Sequence, residues 1–101
     1  MFDINSMNKR YFEVRINGRL FEVEPPKVKT LKKIVALQNN EGAESEALNE
    51  LSEAVRVILS KNKEKKHVSI EVIDDLDIDQ MNEIITNYFE WISGVKKDPN
   101  L

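Results

Sequence analysis

The 101-residue sequence contains no cysteine, three glycines and three prolines, and it has no long apolar run. Without cysteine it can form no disulfide framework, no thiolate nucleophile and no cysteine-based zinc site, which is compatible with a reducing cytoplasm. No apolar run approaches the roughly 20 residues of a membrane-spanning helix, and the start of the chain lacks the basic-then-apolar pattern of a signal peptide. We therefore expect an intracellular protein with no membrane partner.

The composition is that of one small folded domain. Apolar residues make up 41% of the chain and charged residues 33%, so a modest core can form beneath a well-solvated exterior. The formal net charge of -3 argues against nucleic acid as a partner, because phosphate binding needs an excess of Lys and Arg. We predict a single domain over residues 9–95, a flexible arm at residues 1–8 and a frayed end at residues 96–101.

A β-hairpin is predicted over residues 11–24. Apolar and polar residues alternate on both sides of Asn17-Gly18, a dipeptide typical of two-residue turns that need positive φ angles. The resulting register places four apolar side chains on one face of the hairpin, those of Phe12, Val14, Phe21 and Val23. This face should lie against a core, and the opposite face should be solvated.

Helical patterns follow the hairpin. Pro25-Pro26 ends the second strand, because neither proline can donate a backbone hydrogen bond. Helices are then predicted over about residues 29–39, 44–61, 70–75 and 78–93. Strand is the alternative for residues 68–73. The predicted fold class is α+β, with an N-terminal two-stranded antiparallel β-hairpin followed by a small bundle of three to four helices.

Local signals predict where the helices begin. Thr30 is the expected N-cap of the first helix, Ser69 that of the third, and Asp77 with Gln80 resembles a capping box at the start of the last. The charge run at residues 61–66 has no apolar period, so we predict a solvated and mobile linker there. A patch that binds an acidic surface is the alternative.

The apolar stripe of the first helix is expected to face the core. Its predicted members are Val28, Leu31, Ile34 and Val35. Leu37 lies off this stripe, and Val57 lies on the polar side of the second helix. We interpret Val57 as a single exposed apolar residue.

Three alternating aspartates imitate part of a calcium site. Asp75, Asp77 and Asp79 match the first carboxylates of a calcium-binding loop. Gln80 stands where such a loop needs glycine, and Thr86 stands where it needs a bidentate glutamate. These aspartates are better explained as caps and as acidic residues at a helix start.

The other reactive side chains lack sequence partners. His67 is the single histidine and has no cysteine to complete a metal set, and Ser69 has no base nearby in the sequence. The isolated glycines form no phosphate-binding loop. We therefore predict no enzyme activity, no cofactor and no metal.

The last helix carries the widest apolar face. This face spans roughly 160°, more than the roughly 100° that core packing requires, so it can contact the core and a partner together. The predicted partner-binding residues are Trp91, Phe89, Tyr88 and Ile84, with Leu37 and Val57 added because each lies off the apolar stripe of its helix. Core packing is the alternative for the three aromatic residues.

The order of these motifs resembles a known family. The sequence has a turn at Ile16-Asn17-Gly18, a break at Pro25-Pro26-Lys27-Val28, a helical middle, a junction at Asp75-Leu76-Asp77 and a terminal Trp91-Ile92-Ser93-Gly94. Over residues 8–100 this order is similar to that of the small tail assembly chaperones of long-tailed, siphovirus-like bacteriophages and prophages. The resemblance implies a non-enzymatic protein of the bacterial host cytoplasm, absent from the mature virion, that binds the tape measure protein, keeps it soluble and helps recruit tail tube subunits.

Other classes of protein remain open at this stage. One is a small intracellular regulatory or antitoxin-like protein-binding module, in which the hairpin would be a dimerisation strand. An enzyme would need its carboxylates to converge in a cleft, and a structural virion component would remain in purified particles. Self-association is permitted by the strand edges and by the wide apolar face of the last helix.

Overall fold

The computed structural model describes residues 10–38 and 44–94. Within them the chain forms a two-stranded antiparallel sheet and then four helices, namely β1 (Phe12–Ile16), β2 (Arg19–Val23), α1 (Val28–Gln38), α2 (Glu44–Ser60), α3 (Ile70–Asp74) and α4 (Ile78–Ser93). The predicted α+β class and element order are confirmed. The strand alternative for residues 68–73 is wrong, because a helix begins at Ile70 and residues 68 and 69 form no strand. The predicted arm at residues 1–8 and the predicted frayed end at residues 96–101 lie outside the described residues.

The hairpin has the predicted register and turn. Asn17 and Gly18 have φ angles of 51° and 80°, as a two-residue turn with positive φ requires. Phe12 lies opposite Val23, and Glu13 lies opposite Glu22. On the apolar face of the hairpin, the most deeply buried side chains are those of Ile16, Phe21 and Val23. This face therefore forms one wall of the core.

The core is built around α2, which contacts α1, α3, α4 and β2. Its buried face consists of Ala54, Val55, Ile58 and Leu59, each 0% exposed. Apolar side chains from the hairpin and the other three helices complete the cluster, including Phe21, Ile34, Ile73 and Tyr88. No helix in the described ranges has the length and apolarity to cross a membrane.

The beginning of α1 differs from the prediction. The helix starts at Val28, and the backbone N–H of Leu31 donates to the carbonyl of Lys27 at 3.0 Å. Thr30 therefore lies inside the first turn and is not the N-cap. Pro25 and Pro26 lie just before this start, outside the helix, where their missing N–H groups cost it no hydrogen bond.

The predicted apolar stripe of α1 is also partly wrong. Ile34 is fully buried, but Val28 is 69% exposed and Val35 is 40% exposed. Leu31 and Leu37 instead flank Ile34 and are half-buried. Because α1 packs only on α2 among the described elements, its contact face is narrow, and positions about 60° to either side of Ile34 fill it.

The predicted linker at residues 61–66 is largely solvated, since Lys61 and residues 63–65 are exposed. The expectation that it is mobile is wrong for residues 61–63, because these extend the sheet. Asn62 pairs with Val23 in an isolated antiparallel bridge. The N–H of Glu24 donates to the carbonyl of Lys61, and the N–H of Lys63 donates to the carbonyl of Glu22, both at 2.8 Å. Residues 61–63 thus occupy the outer edge of β2.

The Asn62 side chain holds this segment in place. It is 4% exposed, and its Nδ2 donates to the carbonyls of Leu59 and Lys66 at 2.8 and 2.9 Å. Its Oδ1 accepts from the backbone N–H of Lys66 at 2.6 Å, and Lys66 Nζ donates to the carbonyl of Leu20 at 2.8 Å. The segment is stabilised by polar side chains, which apolar periodicity does not detect.

The two predicted caps around α3 and α4 have different outcomes. Ser69 occupies the N-cap position of α3, but its side chain makes no capping hydrogen bond. Asp77 and Gln80 form the predicted capping box: Gln80 N–H donates to Asp77 Oδ1 at 2.7 Å, and Asp77 N–H donates to Gln80 Oε1 at 2.9 Å. Gly94, with a φ of 70°, ends α4 in the left-handed conformation.

Candidate functional site

The aromatic residues of α4 pack against β1. The Tyr88 ring centroid lies 5.6 Å from that of Phe12 and 5.9 Å from that of Trp91, and the Phe12 and Trp91 centroids are 5.7 Å apart. Tyr88 is only 1% exposed, and burial raises its pKa to about 12. The prediction that Tyr88 binds a partner is therefore wrong for this structure, because Tyr88 is a core residue.

Three other predicted contact residues of α4 remain accessible. Ile84, Phe89 and Trp91 pack against the core but are half-buried. The guanidinium of Arg10 lies over the Trp91 ring, 5.1 Å from its centroid, which covers part of the ring with a cation. Contact of these three residues with a partner stays a prediction.

Leu37 and Val57 are expected to lie away from the core, and the structure contradicts this expectation. Both are half-buried and pack against it. Leu37 lines a small cavity of about 170 Å³ together with Ala47 and Leu51 of α2. The interpretation of Val57 as a single exposed residue is wrong, and partner contact by either side chain stays a prediction.

A cleft with a volume of about 560 Å³ lies between α2 and the start of α4, and its lining combines apolar side chains with Asp74, Asp77 and Asp79. Ile73 and Met81 in its lining are buried, whereas Leu48 and Ile78 are 43% and 54% exposed. Ser52 Oγ donates to the carbonyl of Leu48 at 3.0 Å and lies 3.7 Å from the Met81 sulfur. We call this site the α2–α4 cleft.

A second cleft follows β1 on the side of α4. Two cavities of about 390 and 320 Å³ form it, and both are lined by Val14, Arg15, Glu83 and Ile84. Leu76, from the junction between α3 and α4, adds a further apolar side chain to the larger cavity. We call this site the β1 groove.

Carboxylates dominate the α4 side of the β1 groove. Asp75, Asp77, Asp79 and Glu83 line its larger cavity, where Arg15 is the single cationic side chain among the lining residues. The Asp77 side chain is already engaged as the N-cap of α4. This end of the groove is therefore strongly negative and suits a positively charged partner.

The potential metal-binding side chains of the described residues do not cluster. Within residues 10–38 and 44–94, no group of three or more His, Cys, Asp and Glu side chains is arranged to hold a metal ion. His67 is exposed on the segment that precedes α3. The absence of cofactor and enzyme activity stays a prediction.

One ion pair shifts two further pKa values. The hydrogen bonds from Arg56 hold the pKa of Glu53 below its usual value, and the same bonds raise the pKa of Arg56. Arg56 Nε donates to Glu53 Oε2 at 2.9 Å on α2. Neither residue lines the α2–α4 cleft or the β1 groove. What these two sites offer a ligand is apolar contact and negative charge.

Sequence reasoning missed both clefts. Apolar periodicity shows which residues share a helix face but not which parts of that face are covered, so it does not predict that Leu48 and Ile78 are exposed. The aspartates at the α3–α4 junction were recognised as an acidic group, and the structure places them beside β1. Taken together, the fold and the clefts define a small α+β protein with two open surface sites. No family model, curated protein or solved structure matches the chain.

Proposed function

We propose that this chain is a bacteriophage tail assembly chaperone, a non-enzymatic protein that binds the tape measure protein, keeps it soluble and helps recruit tail tube subunits. The order of motifs from the Asn17-Gly18 turn to Gly94 supports this function by resemblance. The α2–α4 cleft is the observation that carries it.

The α2–α4 cleft has the features of a helix-binding groove. Leu48 and Ile78 lie on two different helices and keep about half of their surface in contact with water. An amphipathic helix that enters such a groove buries its own apolar face and the groove together. Tape measure proteins are long and helical and need a temporary apolar cover until the tube surrounds them, which such a groove would supply.

The apolar surface of α4 offers a second contact region. Phe89 and Trp91 lie near the end of the helix, whereas Ile78 lies at its first residue. A long helical partner can contact one site or both. We assign the principal contact to the α2–α4 cleft, because its apolar side chains are more exposed than those at the end of α4.

The test uses two isoleucines in matched positions. Ile78 and Ile70 each begin a helix and are 54% and 52% exposed, but only Ile78 lines the cleft. Aspartate is acceptable at the first residue of a helix because it complements the helix dipole. Ile78→Asp and Ile70→Asp should therefore both fold, which circular dichroism can verify.

Each variant is then co-expressed with a tape measure protein from a long-tailed phage. We expect the unmodified chain and Ile70→Asp to keep the tape measure protein in the supernatant after centrifugation, and Ile78→Asp to leave it in the pellet. Equal solubility with all three, or with no chaperone present, would contradict the proposal. Recovery of only the chain itself, or of nucleic acid, from cells with an induced prophage would favour the regulatory alternative.

A further inference from the structure

We propose that the α2–α4 cleft selects a basic amphipathic helix, one whose apolar stripe is flanked by Lys or Arg on the side that meets the α3–α4 junction. This inference rests on the proposed function for the use of the cleft, and it adds which segments of a partner the cleft accepts. The observation that carries it is that exposed apolar side chains and exposed carboxylates line the same cleft.

The apolar part of the cleft fits the stripe of a helix. Leu48 of α2 and Ile78 of α4 are 43% and 54% exposed, and the buried side chains of Ile73 and Met81 add to the apolar lining. The volume of about 560 Å³ lies within the range of roughly 300–1,000 Å³ that is typical of binding pockets. Two exposed apolar side chains on different helices are thus left for a partner to cover.

The carboxylates of the cleft come from the α3–α4 junction. Asp74 ends α3, Asp77 directly precedes α4, and Asp79 is the second residue of α4. The Asp77 side chain is engaged as the N-cap of α4. Within the described residues, Asp74 and Asp79 make no ion pair or side-chain hydrogen bond. Two carboxylates are therefore available to a cation that a partner brings.

The described lining of the cleft contains no Lys or Arg to offset these carboxylates. Neither residue type occurs anywhere in residues 67–94. The start of α4 adds roughly half a positive charge through the helix dipole, which is less than the combined negative charge of Asp74, Asp77 and Asp79. The cleft therefore has a negative potential that favours a cationic partner.

A helical segment can meet both kinds of side chain at once. Its residues i, i+3, i+4 and i+7 form one apolar stripe, and the positions beside this stripe point toward the same neighbouring surface. A Lys or Arg at such a position can keep its apolar stem against the cleft and extend its charge to an exposed carboxylate. In an extended strand, alternating apolar and basic residues point to opposite faces, so they could not both enter the cleft.

Two capped peptides of about three helical turns test this selection. Both carry the same stripe of leucines, and the positions beside the stripe are lysine in one peptide and glutamate in the other. By isothermal titration calorimetry we expect the lysine peptide to bind about tenfold more tightly, and this preference to shrink as salt is raised. The backbone N–H signals of Leu48, Ile78 and Asp79 should shift on titration with the lysine peptide, which would locate it in the cleft.

Two double variants that neutralise charge provide the matched control. Asp74→Asn with Asp79→Asn removes two carboxylates from the cleft, whereas Glu71→Gln with Glu83→Gln removes two exposed carboxylates outside its lining. Because both double variants have the same net charge, a difference between them reports the position of the carboxylates and not the overall attraction. We expect the first to reduce the preference for lysine about fivefold and the second to change it by less than about twofold. Both should retain the circular dichroism spectrum of the unmodified chain.

Several results would overturn the proposal. Equal affinity of the unmodified chain for the two peptides would show that charge does not select the partner, and equal effects of the two double variants would show that the carboxylates of the cleft are not responsible. If neither peptide bound while the Leu48 and Ile78 signals shifted on dilution of the chain, the cleft would be assigned to a second copy.

Failure of the proposed chaperone function would give a different result. The peptides contain no tape measure sequence, so a preference for lysine that persists while the tape measure protein stays in the pellet would remove the chaperone function and leave the selection intact. Solubility of the tape measure protein that Ile78→Asp abolishes, combined with equal affinity for the two peptides, would do the reverse.

Discussion

Asn62 lies opposite Val23 in an antiparallel bridge that joins the end of α2 to the outer edge of the hairpin. Val23 is 0% exposed and Asn62 is 4% exposed. A residue from the most polar run of the sequence is therefore part of the interior, and its amide group satisfies the backbone of the turn that follows. This contact connects the sheet to the helical bundle.

Replacing Asn62 with alanine should destabilise the protein by about 2 kcal/mol, because buried backbone groups lose their partners. The variant loses bonds from Nδ2 to Leu59 and Lys66 and the bond that Oδ1 accepts from Lys66. Urea unfolding followed by circular dichroism measures the change. Asn87→Ala is the control, since Asn87 Nδ2 also donates to a helical carbonyl, at 2.7 Å, but on an exposed surface.

The free energy of unfolding of Asn87→Ala should change by under about 0.5 kcal/mol. If the two variants were equally stable, the Asn62 network would contribute nothing beyond a surface hydrogen bond. Residues 61–66 would then behave as the solvated linker that their composition predicts.

Local sequence signals predicted the elements of the fold well. The Asn17-Gly18 turn determines the hairpin register, because only a two-residue loop aligns Phe12 with Val23. The boundaries of α4 follow from the capping box at Asp77 and the left-handed Gly94. These signals act over a few residues, so they can be read from sequence without knowledge of the tertiary structure.

Tertiary contacts decided what local signals could not. Leu37 packs on the core while Val35 is 40% exposed, because α1 touches only α2 among the described elements. Tyr88 is buried since Phe12 covers it from the hairpin. The β1 groove exists because the α3–α4 junction lies beside β1, and no periodic pattern encodes that approach.

The capping box of α4 should contribute measurably to stability. Asp77→Ala removes the acceptor for the Gln80 N–H, and we expect a loss of about 1 kcal/mol in the free energy of unfolding. Ser69→Ala is the matched control, because Ser69 holds the N-cap position of α3 without a side-chain capping bond. Its effect should be a few tenths of a kcal/mol at most.

Thermal unfolding by circular dichroism compares these two caps. Asp77→Ala should lower the melting temperature by about 4–8 °C, and Ser69→Ala should leave it nearly unchanged. A larger effect for Ser69→Ala would show that its hydroxyl makes a capping bond in solution.

Burial of Tyr88 predicts a loss of stability at alkaline pH. Burial raises the pKa of Tyr88 in the folded protein to about 12, from an ordinary value of 10.0. As pH rises above about 10, Tyr88 therefore loses its phenolic proton in the unfolded chain before it does so in the folded protein. The free energy of unfolding then falls by up to about 1.4 kcal/mol per pH unit, until the pH reaches the folded pKa of Tyr88.

The test measures urea unfolding between neutral pH and about pH 11. Tyr88→Phe removes the titrating group and keeps the ring contacts with Phe12 and Trp91, so its stability should decline less steeply above about pH 10. A variant that loses stability as steeply as the unmodified chain would assign the alkaline transition to other groups.

Substitutions of Trp91 can show whether this part of the apolar face of α4 contacts the core alone or the core and a partner. Its ring is half-buried and contacts Phe12 and Tyr88, so Trp91→Ala should cost about 2 kcal/mol, less than the roughly 3–5 kcal/mol typical of a fully buried aromatic side chain. Trp91→Phe keeps a ring in place and should cost under about 1 kcal/mol. Unfolding curves measure these stability changes. Binding is measured by co-sedimentation with the tape measure protein, at a temperature where both variants are folded. A loss of stability in Trp91→Ala with unchanged binding would restrict Trp91 to the core, whereas weaker binding by a folded Trp91→Ala protein would show that its exposed edge reaches a partner.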